Sequence, residues 1–294
     1  MQFFSYLING ISLGSVYALI ALGYTMVYGI AKMLNFAHGD VIMIGSYVVY
    51  FAFGASGLNP VLSIVLSMIV CTILGVVIER LAYRPLREAP SLAVLITAIG
   101  VSYLLQQVAQ LSWSSNPKSF TSVVSGMKPV SLFGGQLTIS AETIVTIVAC
   151  VVIMVVLMWF VNYTPAGHAM LAVSEDRGAA QLMGVNVNGT ISLTFAIGSA
   201  LAAIAGALLC SSYPTLQPTT GAMPGIKAFT AAVFGGIGSI PGAMVGGILL
   251  GIIEIFAKAY ISTQLSDAIV FAVLIIVLIV KPAGLLGKQI REKV

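Results

Sequence analysis

The stretch TIVTIVACVVIMVVLMWF, Thr143 to Phe160, decides the fold. It carries no charge and shows no alternation of apolar and polar positions, so a helix built from it is apolar on every face. At 1.5 Å per residue such a helix crosses nearly all of the roughly 30 Å hydrocarbon layer of a bilayer. A strand of a membrane barrel would alternate over about ten residues instead. The rest of the chain agrees. Of 294 residues, 59% are hydrophobic and 7% charged, against roughly 25% charged in a soluble domain. Inside lipid each backbone N–H and C=O needs a partner within the protein, and with the barrel set aside only helices supply it. The expected fold class is an all-α polytopic membrane protein, with residues 1–294 forming a single transmembrane domain.

Breaks in hydrophobicity outline about eight membrane segments: 7–31, 41–54, 60–79, 91–111, 143–162, 190–212, 227–257 and 266–281. Met1-Gln2-Phe3-Phe4 lacks a basic leader region and no small-residue cleavage site follows, so the first apolar run reads as a retained span. Loops rich in Lys and Arg belong in the cytoplasm. These are ERLAYRPLREAP, with Arg80, Arg84 and Arg87, and the tail KPAGLLGKQIREKV, with Lys281, Lys288, Arg291 and Lys293. Single crossings by 91–111 and 143–162 then return 163–189 to the cytoplasm. For the tail to be cytoplasmic as well, 227–257 must begin and end outside, as a hairpin or a broken, re-entrant pair. GGIGSIPG, with Gly235, Gly236, Gly238, Pro241 and Gly242, supplies the break. Segment 41–54 is short, about 21 Å as a helix. If it is a full crossing the N-terminus is outside; if it is a half-helix the N-terminus is inside. Trp113 and Tyr213 are expected at the outer interface, Trp159 and Tyr163 at the inner one. An internal repeat is suggested only by a short, Gly-interrupted segment in each half.

Three features are candidates for chemistry. NFAHGD, Asn35 to Asp40, puts polar and ionisable groups between two apolar segments. That is the mark of a transport path through a broken helix, or else of a turn in which Gly39 is left-handed and Asp40 caps the next helix. Gln106 and Gln107, in mid-span, read as interhelical hydrogen-bonders, and less readily as lining a pathway. The second feature is a glycine ladder at i,i+4 spacing: Gly10 and Gly14; Gly238, Gly242 and Gly246; Gly247 and Gly251. It exposes backbone on one helix face for close packing, against a helix of this chain or of a second subunit. Glu254 and Lys258, also i,i+4, read as an interfacial ion pair with the lysine reaching outward, and less readily as a substrate contact. The third is the inner stretch 166–186, AGHAMLAVSEDRGAAQLMGVN, whose short helix could dock on a cytoplasmic partner or form a solvated connection.

Other chemistry finds no support. GLLGKQ at 284–289 lacks the first glycine and the final hydroxyl of a phosphate loop, so this chain would not bind and hydrolyse ATP by that route. Cys71, Cys150 and Cys210 all lie in apolar segments, odd in number and without metal-ligand spacing, and read as small buried residues. No zinc set or catalytic triad emerges. A net charge of +4 without a basic stripe suits an anionic membrane surface and not nucleic acid.

Several long blocks resemble the LivH-type permeases of branched-chain amino-acid ABC importers. They are NGISLGSVYALIALGYTMVYGI (9–30), NFAHGD (35–40), ERLAYRPLR (79–87), LAVLITAIG (92–100) and GIKAFTAAVFGGIGSIPGAMVGGILLGIIE (225–254). The resemblance implies a permease subunit of the bacterial inner membrane, paired with a second permease. It further implies two cytoplasmic P-loop ATPases that bind the ATP and an extracytoplasmic substrate-binding protein. On this reading 163–189 is the coupling loop, with Glu175, Asp176, Arg177, Ala180 and Gly184 facing an ATPase; His168 and Leu171 stand where relatives often carry basic residues. The substrate path is expected at Asn35, His38, Gly39 and Asp40, and next at Gly235, Gly236 and Gly238. Related permeases serve urea or amides. The rival readings are a self-sufficient carrier or channel, with His38 and Asp40 as a proton relay, and a membrane enzyme.

Overall fold

The computed structural model describes residues 2–132 and 137–287. Its helices are α1 (Gln2–Ala31), α2 (His38–Val49), α3 (Pro60–Ile78), α4 (Ser91–Trp113), α5 (Ala141–Tyr163), α6 (Pro165–Glu175), α7 (Arg177–Leu182), α8 (Val187–Ser212), α9 (Ala222–Gly235), α10 (Ile240–Tyr260) and α11 (Ser266–Val280). A π-helical stretch, Tyr50–Ala55, extends α2, and another, Glu79–Tyr83, extends α3. A 3-10 turn, Arg84–Leu86, and two short antiparallel pairs, Lys118–Ser119 with Thr215–Leu216 and Val130–Leu132 with Leu137–Ile139, complete the elements among the described residues. The tail residues Lys288, Arg291 and Lys293 lie outside the described residues.

The eight apolar segments of the sequence all become helix, but not as eight full crossings. Among the described residues, six helices are long and apolar enough to cross a membrane: α1, α3 with its extension, α4, α5, α8 and α10. The others are shorter, with α2, α9 and α11 holding 12, 14 and 15 residues. Burial separates the six. The most apolar window of α1 is 94% buried and that of α8 72%, whereas those of α4 and α5 are each 22% buried. Hence α1 and α8 form the centre, while α5 turns Val148, Val152, Val155 and Trp159 outward, as lipid contact requires.

Glycine sets the closest approach. A methyl group on Gly14 would lie 2.6 Å from Ile248 Cα, and one on Gly10 would lie 2.8 Å from Ile252 Cα. Gly247 and Gly251 reciprocate against Ala18 and Gly14, so α1 and α10 meet backbone to backbone. Gly242 and Gly246 face the other way, onto Gly235 and Ala231 of α9. The ladder therefore packs α10 within this chain, against two helices at once. With lipid as the competing solvent, such dense dispersion contact is what holds helices together.

The direction of each helix follows from its neighbours. Phe3 and Tyr6 at the start of α1 meet Phe256 and Tyr260 at the end of α10, with ring centroids 5.3 and 5.8 Å apart. Gly29, near the end of α1, faces Gly238 just before α10 begins. At that second end Arg177 donates to the Ala31 carbonyl, and Arg87 donates to both Glu79 and Asn188. We call it the arginine end and its opposite the far end. Lys32 to Ala37 fold back into the protein as non-helical chain and turn, and α2 starts part-way along α1, where His38 meets Gly23 and Tyr24. From there α2 runs to the far end, where Tyr47 stacks on Trp113 at 4.4 Å. Segment 41–54 is thus a short helix, yet the chain from Lys32 to Ala55 still traverses the protein. The N-terminus and the Arg80–Arg87 turn consequently lie at opposite ends. Trp113, the last residue of α4, is part of this aromatic stack at the far end.

The second half repeats the first upside down. After α8 reaches the far end, 213–221 turns inward and α9 starts part-way down, running to the arginine end. There Gly236 (φ 107°) and Gly238 (φ 93°) take conformations open to glycine alone, and α10 returns. So the chain from 213 to 260 begins and ends at the far end with its break at the arginine end, and 227–257 within it is a broken pair whose first helix starts part-way down. α1 packs on α10 and α9 as α8 packs on α3 and α2. The halves α1–α4 and α8–α11 form an inverted repeat, joined through α5, α6 and α7.

Candidate functional site

The two half-helices meet at their starts. A methyl on Gly39 would lie 2.6 Å from the Gly221 carbonyl oxygen, and one on Gly225 would lie 2.9 Å from Gly39 Cα. Neither N-terminus has a side-chain cap, and Ala37, not Asp40, occupies the cap position of α2. Around this junction the NFAHGD side chains are sealed. Asn35 Oδ1 accepts a 2.9 Å hydrogen bond from Tyr83, and Asp40 Oδ1 accepts one of 2.9 Å from Gln106 Nε2. His38 stands edge-on to Tyr24 at 4.7 Å and its Nε2 has no hydrogen-bond partner. Gln106 is the interhelical bonder its position suggested, while Gln107 is exposed. Gly235, Gly236 and Gly238 are not brought to this group. They lie at the arginine end beside Gly29 and the 284–287 segment, where Gly235 accepts a backbone bond from Leu286.

The larger concentration of polar chemistry lies toward the far end, where the sequence offered only Glu254 and Lys258. Glu254, 1% exposed, accepts three hydrogen bonds. Tyr17 hydroxyl donates to Oε2 at 2.8 Å, and Lys227 and Lys258 donate to Oε1 at 2.8 and 2.6 Å. Lys227 also pairs with Asp267 at 2.6 Å. Four helices, α1, α9, α10 and α11, are tied by these bonds. The predicted Glu254–Lys258 pair exists, with its carboxylate buried inside the protein and its lysine one-third exposed. This cluster forms one wall of a cavity of about 440 Å³, which continues past Tyr213, Gln217 and Thr219 to the far end. An adjoining cavity of about 490 Å³ shares Leu13 and Tyr213 with it. Burial, and next the nearby Glu254 charge, raise the Tyr213 pKa, so its hydroxyl remains a donor. Lys227 and Tyr17 were missed because each is a lone polar residue in an apolar stretch. The only signal was a lysine at the head of a segment otherwise without charge up to Glu254.

At the arginine end α6 and α7 build the loop that joins the two halves. Thr164 caps α6 and Pro165 starts it, while Asp176 caps α7 by accepting from Gly178 and Ala179 N–H at 2.8 and 3.0 Å. Glu175 is exposed, Ala180 is packed onto the protein, and Gly184 (φ 86°) ends the turn with open space around it. Arg177 points back to Ala31 and so ties the loop to the last turn of α1, where a cation complements the helix dipole. Burial, and next the neighbouring Arg87, lower the Arg177 pKa from its usual value without threatening its charge.

Known proteins match this arrangement along its whole length. The model of the family described as branched-chain amino acid transport system, permease component, matches residues 6–278. The chain is 44% identical to the high-affinity branched-chain amino acid transport system permease protein LivH of Salmonella typhimurium, over 100% of this chain and 98% of that one. It is 45% identical to the corresponding permease protein BraD of Pseudomonas aeruginosa, over 98% and 97%. A probable LivH of Methanocaldococcus jannaschii is 30% identical over 92% and 88%. A match that spans every helix of both inverted halves is a match of the whole architecture, and the chain belongs to the family of branched-chain amino-acid transport permeases.

Proposed function

We propose that this chain is the membrane-spanning permease subunit of a binding-protein-dependent ABC importer and forms the translocation path for leucine, isoleucine and valine. The observation that carries the proposal is the end-to-end similarity to LivH and BraD, which leaves no helix of either half unmatched. In this reading the arginine end faces the cytoplasm, in keeping with Arg80, Arg84, Arg87 and Arg177 gathered there. A cytoplasmic C-terminus belongs to the same reading and is supported by the last described residues, where Leu285 and Leu286 bond to Phe234 and Gly235 at the break between α9 and α10. A substrate-binding protein docks on the far end, and a second, homologous permease completes the path across the bilayer. Two cytoplasmic P-loop ATPases bind the ATP and grip the α6–α7 loop.

Coupling has a physical route in this arrangement. A push on α7 reaches α1 through the Arg177–Ala31 bond, and α1 carries it to α10 along the glycine seam. The two half-helices α2 and α9 meet at Gly39, Gly221 and Gly225, so side chains present little obstruction to a shift of one against the other, a small motion of the kind by which such repeats alternate access. Isolation of the tagged chain in mild detergent, with its companions identified by mass spectrometry, tests the assembly. Recovery of a second permease and P-loop ATPases is expected. A chain that purifies alone and carries amino acid down an ion gradient would replace the importer with a secondary carrier.

A further inference from the structure

The cavity beside Glu254 holds charges that packing alone does not require. Apolar residues of similar volume serve a buried interface as well as an ion pair or better, because desolvation consumes the Coulombic gain. Here Lys227, Lys258, Glu254 and Asp267 are gathered toward one end, two positive and two negative, and Glu254, Lys227 and Lys258 line the cavity. By contrast Asp40 and Asn35 are each closed off by a single neutral partner and line none of the cavities described above. A volume of about 440 Å³ falls within the ~300–1,000 Å³ usual for small-molecule sites.

We propose that this cavity is the recognition site for the amino-acid zwitterion, with Glu254 receiving the ammonium group and Lys258 the carboxylate. The proposal rests on the import function above and names the site within it. Lys227 and Tyr17 hold Glu254 in place from α9 and α1. Lys258 is the movable partner: its side chain is one-third exposed, and as it turns to the incoming carboxylate it frees a lone pair on Glu254 for the ammonium. The uncapped start of α9, whose Ala222 and Met223 line the same cavity, adds an electropositive helix end toward the carboxylate. Leu13, Leu209 and Met223 provide the apolar wall for an aliphatic side chain. The cluster has no net charge, so a neutral zwitterion enters without changing the charge of the site, whereas an amine or a carboxylic acid leaves one ion unpaired at substantial cost.

The test places a reporter on the cavity wall. Thr219 is exposed there, so Thr219→Cys supplies a thiol for a membrane-impermeant maleimide, while the native Cys71, Cys150 and Cys210 are buried. The full chain is labelled in membranes that import leucine. Leucine at ten times its dissociation constant is expected to slow labelling about tenfold. 3-Methylbutylamine, lacking the carboxylate, and 4-methylpentanoate, lacking the ammonium, should leave the rate within about twofold at the same concentration. Adding Glu254→Gln should abolish protection by leucine; the single variant reads the site even if that double variant fails to fold. Labelling that leucine does not slow, in membranes that still import leucine, overturns this site and leaves the function standing. Equal protection by all three compounds overturns zwitterion recognition. Absence of leucine import by the unaltered protein overturns the function itself.

Discussion

Replacing Gly14 and Gly100 with alanine makes one chemical change in two opposite settings. A Gly14 methyl would sit 2.6 Å from Ile248 Cα and 2.7 Å from the Ile248 carbonyl oxygen. Ordinary carbon contacts lie at about 3.5–4.0 Å, so α1 and α10 must part by about 1 Å, and a gap of that size forfeits a quarter to a half of each dispersion contact along the seam. Overpacking of this kind costs about 1–3 kcal/mol. Alanine returns roughly 0.5–1 kcal/mol as the better helix former, leaving Gly14→Ala less stable by up to about 2.5 kcal/mol and by about 1 kcal/mol at mid-range. Gly100 in α4 has nothing within 4 Å of its added methyl. Gly100→Ala therefore keeps the helix gain and should be neutral or up to about 1 kcal/mol more stable. Unfolding midpoints of the three purified proteins in mixed detergent micelles make the comparison. Stabilisation by both substitutions would refute the backbone-to-backbone seam between α1 and α10.

Further outcomes follow from other parts of the molecule. Glu254→Gln should cut leucine uptake more than Asp40→Asn, measured at equal membrane abundance, because Glu254 carries three bonds beside a cavity and Asp40 one bond in a sealed junction. This reverses the order expected from the sequence, and a larger loss at Asp40 would return the site to the half-helix junction. Gly184→Trp should keep the subunit in the membrane but lower uptake per ATP hydrolysed. Its φ of 86° strains any other residue by about 1–2 kcal/mol, and its surroundings are open, so the added bulk meets the docking partner. Undiminished uptake would remove Gly184 from the coupling surface. Arg84→Cys should react with an impermeant thiol reagent only from the cytoplasm, and labelling from outside would invert the topology.

Much of the fold was legible because bilayer crossing is a local property. Continuous apolar runs, the Gly/Pro break at 235–242 and the placement of basic loops require no knowledge of tertiary contacts. Residues 1–31 carry no charge, so the end at which the N-terminus lies needed the observation that the chain from Lys32 to Ala55 traverses the protein although α2 itself is short. The inverted repeat was hidden because its halves share geometry and not residues: α1 and α10 touch through glycines, while Gly75 of α3 meets Ser199 of α8. The site was less legible still. Asn35 to Asp40 attracted attention as a compact polar hexamer, but Asn35 and Asp40 are closed off by Tyr83 and Gln106, and His38 packs on Tyr24. Glu254 draws its partners from Tyr17, 237 positions away, and Lys227, 27 positions away across a chain reversal. No periodicity within one helix encodes such a meeting.

The most direct measurement is leucine uptake by proteoliposomes that hold this chain with its co-purified companions, with the binding protein outside and ATP enclosed. Accumulation that requires both enclosed ATP and the binding protein is the predicted result. Accumulation by the chain alone, indifferent to ATP and driven by an ion gradient, would contradict the account.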